Sequence, residues 1–437
     1  MIVKSEELII LGGGLAGASI AGLYEGRSVI LEREATAGGL CRSYQLNGVT
    51  YDVGPHIMFS KNKEILDFHC RLVETNRLKR ANNILLRGRW IKYPFENDLS
   101  ALEPADNQYC LDEFLNNPYE NYAAENMQQF FLKTFGEGIT RLYLGPYNEK
   151  IWKFDPSCLD TQMVERIPKP PREDVIKSSR GISTEGYVHQ LYFHYPKQGG
   201  IQSLFDAYLN RTESKTRLVQ GVSIKKISKA EDAWNVETNQ GAFRSGKIVN
   251  CMPLHELFNV LDAPEDIQHT VKRLLYNSIH IVIVQTRKDN VGERFAVYVP
   301  EKDIIFHRLS KLNFLGEAYC LDGGGSTLMA EITFRPGTML SHLSGAELQD
   351  RVVADLIKTG MLESQADVLA VEVRTFKYAY VIYDLDHRRN TDKLLNHLRD
   401  RGIHCLGRFA EFEYLNTDQV AERAQKLGRL LNEASRT

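Results

Sequence analysis

Long apolar runs are missing from this sequence. No stretch reaches the roughly 18 consecutive apolar residues that a membrane-spanning helix needs. The first residues also lack the basic and apolar regions of a secretory signal peptide, because they lead directly into a strand-like run. We therefore expect a cytoplasmic protein that makes no contact with a membrane.

A large net charge and closely spaced cysteines are missing as well. The formal net charge is only -2, so the chain has no general attraction for nucleic acid, and any bound anion must be held by a few well-placed cations. The seven cysteines lie far apart, include no CxxC pair and are odd in number, which argues against a disulfide framework and against a metal site. We expect reduced thiols, no metal and no nucleic-acid partner.

A glycine-rich turn is the clearest motif that is present. The apolar run ELIIL at 7–11 leads into Gly12-x-Gly14-x-x-Gly17, and a stretch of small residues follows. Between a strand and a helix, such a turn has one glycine for the bend, one for the close approach of a pyrophosphate and one for helix packing. The helix N-terminus then favours the phosphates. The predicted nucleotide contacts of this turn are Gly12, Gly14, Leu15, Ala16 and Gly17.

The next residues narrow the choice of nucleotide. Glu32 ends the apolar run at 28–31 and is placed to accept hydrogen bonds from ribose hydroxyls, while its charge disfavours a 2′-phosphate. This selects FAD or NAD over NADP. Gly38 and Gly39 then offer a second close approach of the backbone, and Arg42 offers a cation for the pyrophosphate or the flavin. NAD-binding turns do not need this second element, so we predict FAD.

The series ends in a third glycine turn, Gly54-Pro55-His56. A lone histidine is usually a core or surface residue, but this one follows two segments that are predicted to approach a flavin nucleotide. We therefore predict that Gly54, Pro55 and His56 lie beside the flavin.

The remaining chain first predicts helices and then strands. Apolar residues recur at helical spacing over 122–143, which indicates an amphipathic helix. From Arg217 onward, short apolar runs are separated by glycine, asparagine and aspartate, as in a sheet. A final helix is predicted over 418–431, packed on the first domain, with Thr417 or Asp418 as its N-cap.

These patterns predict an α/β protein of two or three lobes, since 437 residues are too many for one compact core. We expect a Rossmann-like FAD-binding domain, a mainly helical lobe that covers the substrate, and an antiparallel-sheet substrate domain. The FAD-binding domain is predicted to be discontinuous, with residues 1–60, 195–255 and 400–437. The helical lobe takes 61–194, and the sheet-rich domain takes 256–399.

Beyond the first turns, a series of short motifs resembles the UDP-galactopyranose mutases, particularly the eukaryotic-type branch and its bacterial relatives. The motifs occur in the same order as in that family, and the resemblance covers nearly the whole chain. They are GPHIMFS at 54–60, YPFEN at 93–97, GPYNEKIW at 145–152, ER at 165–166, YPKQGG at 195–200, YVPE at 298–301, FHR at 306–308, AYVIY at 379–383, and GRF at 407–409 with Tyr414.

The resemblance implies which residues form the site. It implies that His56, Arg166 and Arg308 are catalytic. Planar guanidinium groups bind diphosphate oxygens bidentately, so the two arginines suit the jaws of an anion clamp. The implied substrate contacts are Tyr93, Phe95, Glu96, Asn148, Trp152, Arg166, Gln190, Tyr298, Arg308, Tyr380 and Tyr414. The further implied FAD contacts are Arg33, Leu40, Val222, Gly407, Arg408, Asp418 and Gln419.

The resemblance also implies a reaction. Members of that family interconvert the pyranose and furanose forms of a nucleotide-diphosphate hexose without net redox change, through an adduct between N5 of reduced FAD and the sugar. We therefore expect FAD as the cofactor, NADH or NADPH as the reductant, and a nucleotide-diphosphate sugar as the partner in glycan or secondary-metabolite biosynthesis. The oligomeric state is left open, a homo-oligomer included.

Three residues depart from the family pattern. Glu96 stands where the family has glutamine, Ala296 where it has tryptophan, and Gln190 where relatives commonly have asparagine. A carboxylate suits a base that presents adjacent donors, such as guanine, and alanine leaves more room. Our hypothesis is therefore a base or sugar other than that of UDP-galactose.

Two other classes of protein share parts of this pattern. A flavin oxidase or desaturase of the amine oxidase and protoporphyrinogen oxidase type has the same first and last FAD motifs, but it would need an apolar or aromatic cavity instead of paired arginines. The GDP-dissociation inhibitors share the fold without using flavin. Intact Glu32, Gly38, Gly39 and Arg42 argue against that third class.

Overall fold

The computed structural model describes residues 3–167, 170–186, 191–212 and 214–436, with the backbone only for Val3, Glu165, Arg166, Ser435 and Arg436. The strands, in chain order, are β1 (Val3–Ser5), β2 (Leu8–Leu11), β3 (Ser28–Leu31), β4 (Ser43–Leu46), β5 (Val49–Asp52), β6 (Thr75–Lys79), β7 (Asn82–Leu86), β8 (Arg89–Lys92), β9 (Tyr192–Pro196), β10 (Thr216–Val219), β11 (Ile224–Ala230), β12 (Ala233–Thr238), β13 (Gly241–Ser245), β14 (Ile248–Asn250), β15 (Tyr276–Thr286), β16 (Ala296–Tyr298), β17 (Arg308–Lys311), β18 (Ser326–Phe334), β19 (Val368–Val381) and β20 (Ile403–Cys405). The α-helices are α1 (Leu15–Leu23), α2 (Lys63–Leu72), α3 (Pro104–Leu115), α4 (Met127–Ile139), α5 (Gly145–Trp152), α6 (Arg172–Ser179), α7 (Gln202–Asn210), α8 (Leu254–Phe258), α9 (Glu265–Arg273), α10 (Gly345–Lys358), α11 (His387–Asp400) and α12 (Thr417–Arg436). None of the helices in these described ranges is long and apolar enough to cross a lipid bilayer.

A five-stranded parallel sheet, in the order β10-β3-β2-β14-β20, carries the first motifs. Every residue of β2 and β3 is buried, as expected for apolar strands inside a doubly wound sheet. Since the strands are parallel, their carboxyl ends lie at one edge, where such sheets bind ligands. Gly12 and Glu32 directly follow two of these ends. This arrangement confirms the predicted α/β class.

The last helix, α12, packs against α1 beside this sheet, as predicted. Buried Ala424 of α12 and Ile20 of α1 belong to one core cluster. The predicted N-cap was wrong, because both candidate residues lie inside the helix, which begins at Thr417. Asn416 precedes the helix, and its backbone N–H donates to the Gln419 side chain at 3.0 Å. That bond ties down one of the donors that a helix start leaves unpaired.

A seven-stranded sheet, in the order β19-β15-β18-β17-β16-β7-β8, forms the second large layer. Its pairs are antiparallel apart from β16 with β7. Helix α10 packs on one face, where buried Leu356 joins Val282 and Leu328. Strands β7 and β8 come from the segment predicted as mainly helical, yet they complete the sheet of the segment 256–399. The division of the chain into those segments therefore stays a prediction.

Smaller sheets fill the spaces around these layers. They are the four-stranded β1-β13-β12-β11 and the pairs β4-β5 and β6-β9. The sheet-rich character predicted from Arg217 onward is confirmed by strands β10 to β19.

The helix predicted over 122–143 is shorter at its start and changes its geometry near its end. Helix α4 begins at Met127, because the Asn126 side chain caps it by accepting the Gln129 N–H at 3.0 Å. The backbone leaves helical dihedrals at Gly136 and then forms a π-helix over Thr140–Leu144. This π-helix leads directly into α5. Tyr143 of the π-helix and Tyr147 of α5 both line the cavity described below.

Candidate active site

One large cavity, of about 2190 Å³, extends from the carboxyl edge of the parallel sheet to the seven-stranded sheet. Ligand pockets usually measure about 300–1000 Å³, so this one has room for a cofactor and a second ligand. The side chain of Arg166 and all of Gln190 lie outside the described residues. The other predicted site residues line the cavity, with the exception of Gly17.

We call the turn at Gly12–Gly14, together with Gly38 and Gly39, the nucleotide cradle. Gly17 does not line the cavity and lies behind this turn. A Cβ atom at this position would be 2.2 Å from the Gly12 carbonyl oxygen, so only glycine lets α1 pack this closely against the turn. The Gly12 N–H in turn donates to Leu31 O at 2.9 Å, which joins the turn to the end of β3. Gly17 is absent from the cavity wall, so its nucleotide contact stays a prediction, whereas its predicted role in helix packing agrees with this close approach.

The Glu32 side chain is held by backbone N–H groups of the glycine turn and of the residues that follow β3. Its carboxylate accepts the Gly13 N–H at 2.7 Å and the Glu34 N–H at 2.8 Å. A carboxylate oxygen can accept more than one hydrogen bond, so Glu32 keeps acceptor capacity for ribose hydroxyls. Val222 lies beside Glu32 in the cavity wall, and its N–H donates to Glu32 O at 2.8 Å.

The second glycine pair lies against the first turn. The Gly38 N–H donates to Gly13 O at 2.7 Å, and Arg42 Nε donates to Gly39 O at 3.3 Å. The Arg42 Nη1 atom lies 3.8 Å from a Glu34 carboxylate oxygen. The backbone of both glycine segments and the Arg42 guanidinium therefore meet at one place in the cavity.

His56 is a neutral imidazole with a defined orientation. Its Nδ1 lies 3.0 Å from Gly54 O, and since a carbonyl can only accept, Nδ1 carries the proton and Nε2 is left as an acceptor. Desolvation lowers the pKa of His56 to about 4, and the charges of Arg408 and Arg308 act in the same direction. His56 therefore does not take up a proton near neutral pH.

Arg308 forms a bidentate ion pair with Glu331. Its Nε and Nη2 atoms donate to the two carboxylate oxygens at 2.5 and 2.7 Å, and Glu331 is 0% exposed. Burial acts to lower the pKa of Arg308, but the Glu331 charge outweighs it and raises the pKa well above its ordinary value. Gly54 approaches this pair closely: its φ is 78°, and a Cβ there would be 3.3 Å from Glu331 Oε2. The pair therefore lies directly beside the His56 turn.

Tyr380 and Tyr414 form a parallel aromatic pair next to the arginines. Their ring centres are 5.8 Å apart at 7°, and Trp152 meets Tyr380 edge-on at 5.6 Å. The guanidinium of Arg408 lies 4.6 Å from the Tyr414 ring centre. Three of its donors bind the carbonyls of Leu415 and Ala379, so Arg408 also fixes the turn that carries Tyr414.

Asn148 and Trp152, both implied as nucleotide contacts, bond to each other one helical turn apart on α5. Trp152 Nε1 donates to Asn148 Oδ1 at 2.9 Å, and Asn148 Nδ2 donates to Leu144 O at 2.8 Å. In this state Asn148 orients the indole, and the indole faces the tyrosine pair.

A cluster of aromatic rings forms the part of the cavity next to β16, and we call it the aromatic slot. Phe95 stacks on Tyr143 at 5.1 Å, and Tyr143 stacks on Tyr147 at 5.4 Å. Tyr298 contacts Tyr147 at 5.5 Å and Tyr93 at 4.8 Å. Flat apolar walls of this kind suit the faces of a nucleobase.

Asp418 and Gln419 line the cavity at the start of α12. Ser60 Oγ donates to Asp418 Oδ2 at 2.6 Å. The buried Oδ1 atom has no hydrogen-bond partner among the described residues.

The comparisons with known proteins agree with this architecture. The family model of NAD(P)-binding Rossmann-like domains matches residues 10–72. A crystal structure of reduced UDP-galactopyranose mutase superposes with a TM-score of 0.89 and 21% identity, covering 98% of this chain and 96% of that chain. This chain has the fold of UDP-galactopyranose mutase. The resemblance predicted from the motifs is thereby confirmed at the level of the fold.

Two further proteins are similar to this chain. A putative protoporphyrinogen oxidase from Exiguobacterium sp. 255-15 superposes with a TM-score of 0.76 and 16% identity, over 99% of both chains. An uncharacterized protein in the nifH2 3′ region of Methanothermococcus thermolithotrophicus is 34% identical over 58 residues, which are 13% of this chain and 57% of that protein. The chain therefore matches little more than half the length of that curated relative. The fold is therefore shared by a mutase and by a putative oxidase.

Two residues of the cavity region were missed by the motifs. Glu331 is the one acid in the otherwise uncharged run STLMAEITF at 326–334, and an acid inside a fully buried strand indicates a partner cation. Asn82, at the start of β7, lines the cavity and donates to the Tyr298 hydroxyl at 3.1 Å. No feature of the sequence marks Asn82.

Proposed function

We propose that this protein interconverts the pyranose and furanose forms of a nucleotide-diphosphate hexose with the help of reduced FAD. The observation that carries the proposal is that one cavity is lined both by a glycine-rich nucleotide cradle and by Arg308, which Glu331 holds bidentately. Glu331 uses two of the five N–H donors of Arg308, and the others suit the oxygens of a diphosphate. The likeness in fold to a reduced UDP-galactopyranose mutase supports the same chemistry.

The cradle fits FAD. The glycine turn at the N-terminus of α1 would hold the pyrophosphate, Glu32 the adenosine ribose, and the Gly54–His56 turn the flavin edge. When bound in its reduced form, FAD supplies an electron-rich centre for attack on the anomeric carbon of the sugar. Because the His56 ring stays neutral, its Nε2 atom can accept a hydrogen bond from the bound flavin without adding a charge beside it.

The side chains near Arg308 account for the rest of the reaction. The Arg308 charge stabilises the diphosphate when its bond to the sugar breaks and keeps it close enough to return. Burial raises the pKa of Tyr380 well above its ordinary value, so its hydroxyl stays protonated and can donate to a phosphate oxygen. Because the nucleotide leaves and returns, no net oxidation is required.

The test is anaerobic incubation of the protein, purified with its flavin, with a panel of uridine, guanosine, cytidine, adenosine and thymidine diphosphate hexoses. We expect furanose products after reduction with dithionite and none with the oxidised protein. NADH and NADPH are then compared as reductants in place of dithionite. Absence of any ring-isomerised product with the reduced protein would contradict the proposal.

An oxidase is the second candidate, because a putative protoporphyrinogen oxidase has the same fold. An oxidase would be active with oxidised flavin and would consume oxygen in each turnover. Arg308 lines this cavity and keeps N–H donors that Glu331 does not use. These donors suit the oxygens of a diphosphate, so we expect no stoichiometric oxygen consumption with nucleotide sugars. Oxygen consumption that matches product formation would establish the oxidase instead.

A further inference from the structure

The aromatic slot contains one buried carboxyl group. Glu96 lines the cavity and is 4% exposed, and it directly follows Phe95, whose ring stacks on Tyr143. The turn that carries it is fixed from behind, since Ser178 Oγ donates to Glu96 O at 2.7 Å. The slot belongs to the seven-stranded sheet and the helices beside it, whereas the FAD cradle belongs to the parallel sheet. The slot and the FAD cradle therefore lie on different elements of the same cavity.

No cation among the described residues pairs with Glu96. Lys92, on the neighbouring strand, bonds instead to Thr184 O at 2.8 Å and pairs with Glu185 at 3.2 Å. The titratable group that Glu96 acts on is Tyr143 of the π-helix. The pKa of Tyr143 is raised well above its ordinary value, mainly by burial. Burial also raises the pKa of Glu96 to about 7.

A second acceptor lies nearby in the same cavity. Asn82 is 8% exposed and lines the cavity, and its Oδ1 atom has no hydrogen-bond partner within the described residues. The residue paired with it across the parallel β7–β16 register is Ala296, a small residue that also lines the cavity. Because a buried acceptor is normally paired, the Asn82 oxygen is a candidate partner for a donor of a ligand or of a bound water.

The arrangement of acceptors selects among the nucleobases. An ionised carboxylate presents two acceptors side by side and no donor. Guanine has two adjacent donors, N1–H and N2–H, on its pairing edge, whereas uracil, cytosine and adenine each place an acceptor beside a donor there. We propose that the slot binds guanine, with Glu96 accepting from N1 and N2, so that the substrate is a guanosine diphosphate sugar. This proposal rests on the proposed function for the sugar but not for the base.

The test measures binding of GDP, UDP, CDP and ADP to the oxidised holoprotein by titration calorimetry, one pH unit above and one below the Glu96 pKa. Guanine binds the ionised carboxylate, so the ratio of GDP to UDP affinity should rise with pH through about 7. Titration of the diphosphate affects both nucleotides alike and cancels in this ratio. We expect GDP to bind more tightly than the other three at the higher pH.

Glu96→Gln is the matched variant, because an amide presents one donor and one acceptor, which suits uracil. We expect its GDP affinity to fall about 10- to 100-fold, as for lost bonds to a charged group, and its affinity ratio to become independent of pH. Flavin absorbance shows whether the variant is folded, and the wild-type pH series decides the proposal if it is not. UDP binding as tight as GDP binding above the Glu96 pKa would overturn the proposal, as would a ratio that does not change with pH.

These outcomes separate the base from the reaction. Tight GDP binding without furanose products from any guanosine diphosphate sugar would contradict the mutase and support the slot. Conversion of a uridine diphosphate hexose without GDP binding would support the mutase and overturn the slot.

Discussion

Arg308 is the residue on which the proposed clamp depends most. In Arg308→Lys, a single ammonium cannot bind both oxygens of Glu331 and a diphosphate in the same fixed geometry. We expect kcat/KM for the nucleotide sugar to fall about 100-fold, because the leaving diphosphate is no longer held in position. Steady-state kinetics of the reduced enzyme measure the effect. Arg351→Lys is the control, since Arg351 pairs with Asp355 on α10 at 3.2 Å and is not part of the cavity wall. Equal kinetics of both variants would contradict the assignment.

For single residues, the sequence predicted the neighbours in the FAD cradle well. It did not predict the residues that pair with Arg308 and Tyr298. Gly12 and Glu32 belong to one strand-turn-helix-strand unit, so their spacing alone brings them together. Glu331 meets Arg308 only through the register of β17 on β18, which is fixed by the packing of the whole sheet. Asn82 reaches the cavity through a pairing between β7 and β16, more than 200 residues apart in the chain. Such pairings have no fixed spacing that a motif could capture.

Helix α1 offers a test at the scale of one element. Gly17→Ala places a Cβ atom 2.2 Å from Gly12 O, so the helix must move away from the turn that would hold the pyrophosphate. We expect this variant to be purified with little flavin and a lower melting temperature. In Gly22→Ala, on the same helix, the nearest atom is a Thr212 methyl group at 3.6 Å, an ordinary contact. Since alanine favours helices, this control should keep its flavin and gain up to about 1 kcal/mol. The ratio of flavin absorbance to protein absorbance measures the flavin content of both variants. Normal flavin content in Gly17→Ala would show that the turn does not need this packing.

Elements followed the predictions where periodicity was strong and departed from them at their ends. The final helix exists, yet it begins at Thr417, because Asn416 and Gln419 form the first contact of its N-terminus. Apolar spacing over 122–143 does not reveal that Asn126 caps the helix or that Gly136 interrupts it. Caps and interruptions depend on single side chains and on neighbouring elements, whereas the apolar stripe depends on the average over several turns.

For the whole molecule, the proposed FAD site joins three distant parts of the chain. Residues from 12–56, Val222 and residues 407–419 line the same cavity, so FAD would add contacts between these three segments. A ligand that binds the folded state stabilises it by mass action, by about 2.7 kcal/mol at a hundredfold excess over its Kd. We therefore expect removal of the flavin to lower the melting temperature, and added FAD to restore it in a concentration-dependent way.

The same experiment distinguishes the cradle from a general flavin effect. FMN has the flavin ring but lacks the adenosine that Glu32 and the glycine turn would hold, so it should restore much less of the stability than FAD at equal concentration. Unfolding of the protein should also remain one cooperative transition with FAD bound, because the cofactor would contact segments on both sides of the cavity. If the flavin-free protein melts at the same temperature with and without FAD, then the glycine turns do not form the cofactor site, and the Arg308–Glu331 pair must serve a ligand that binds without flavin.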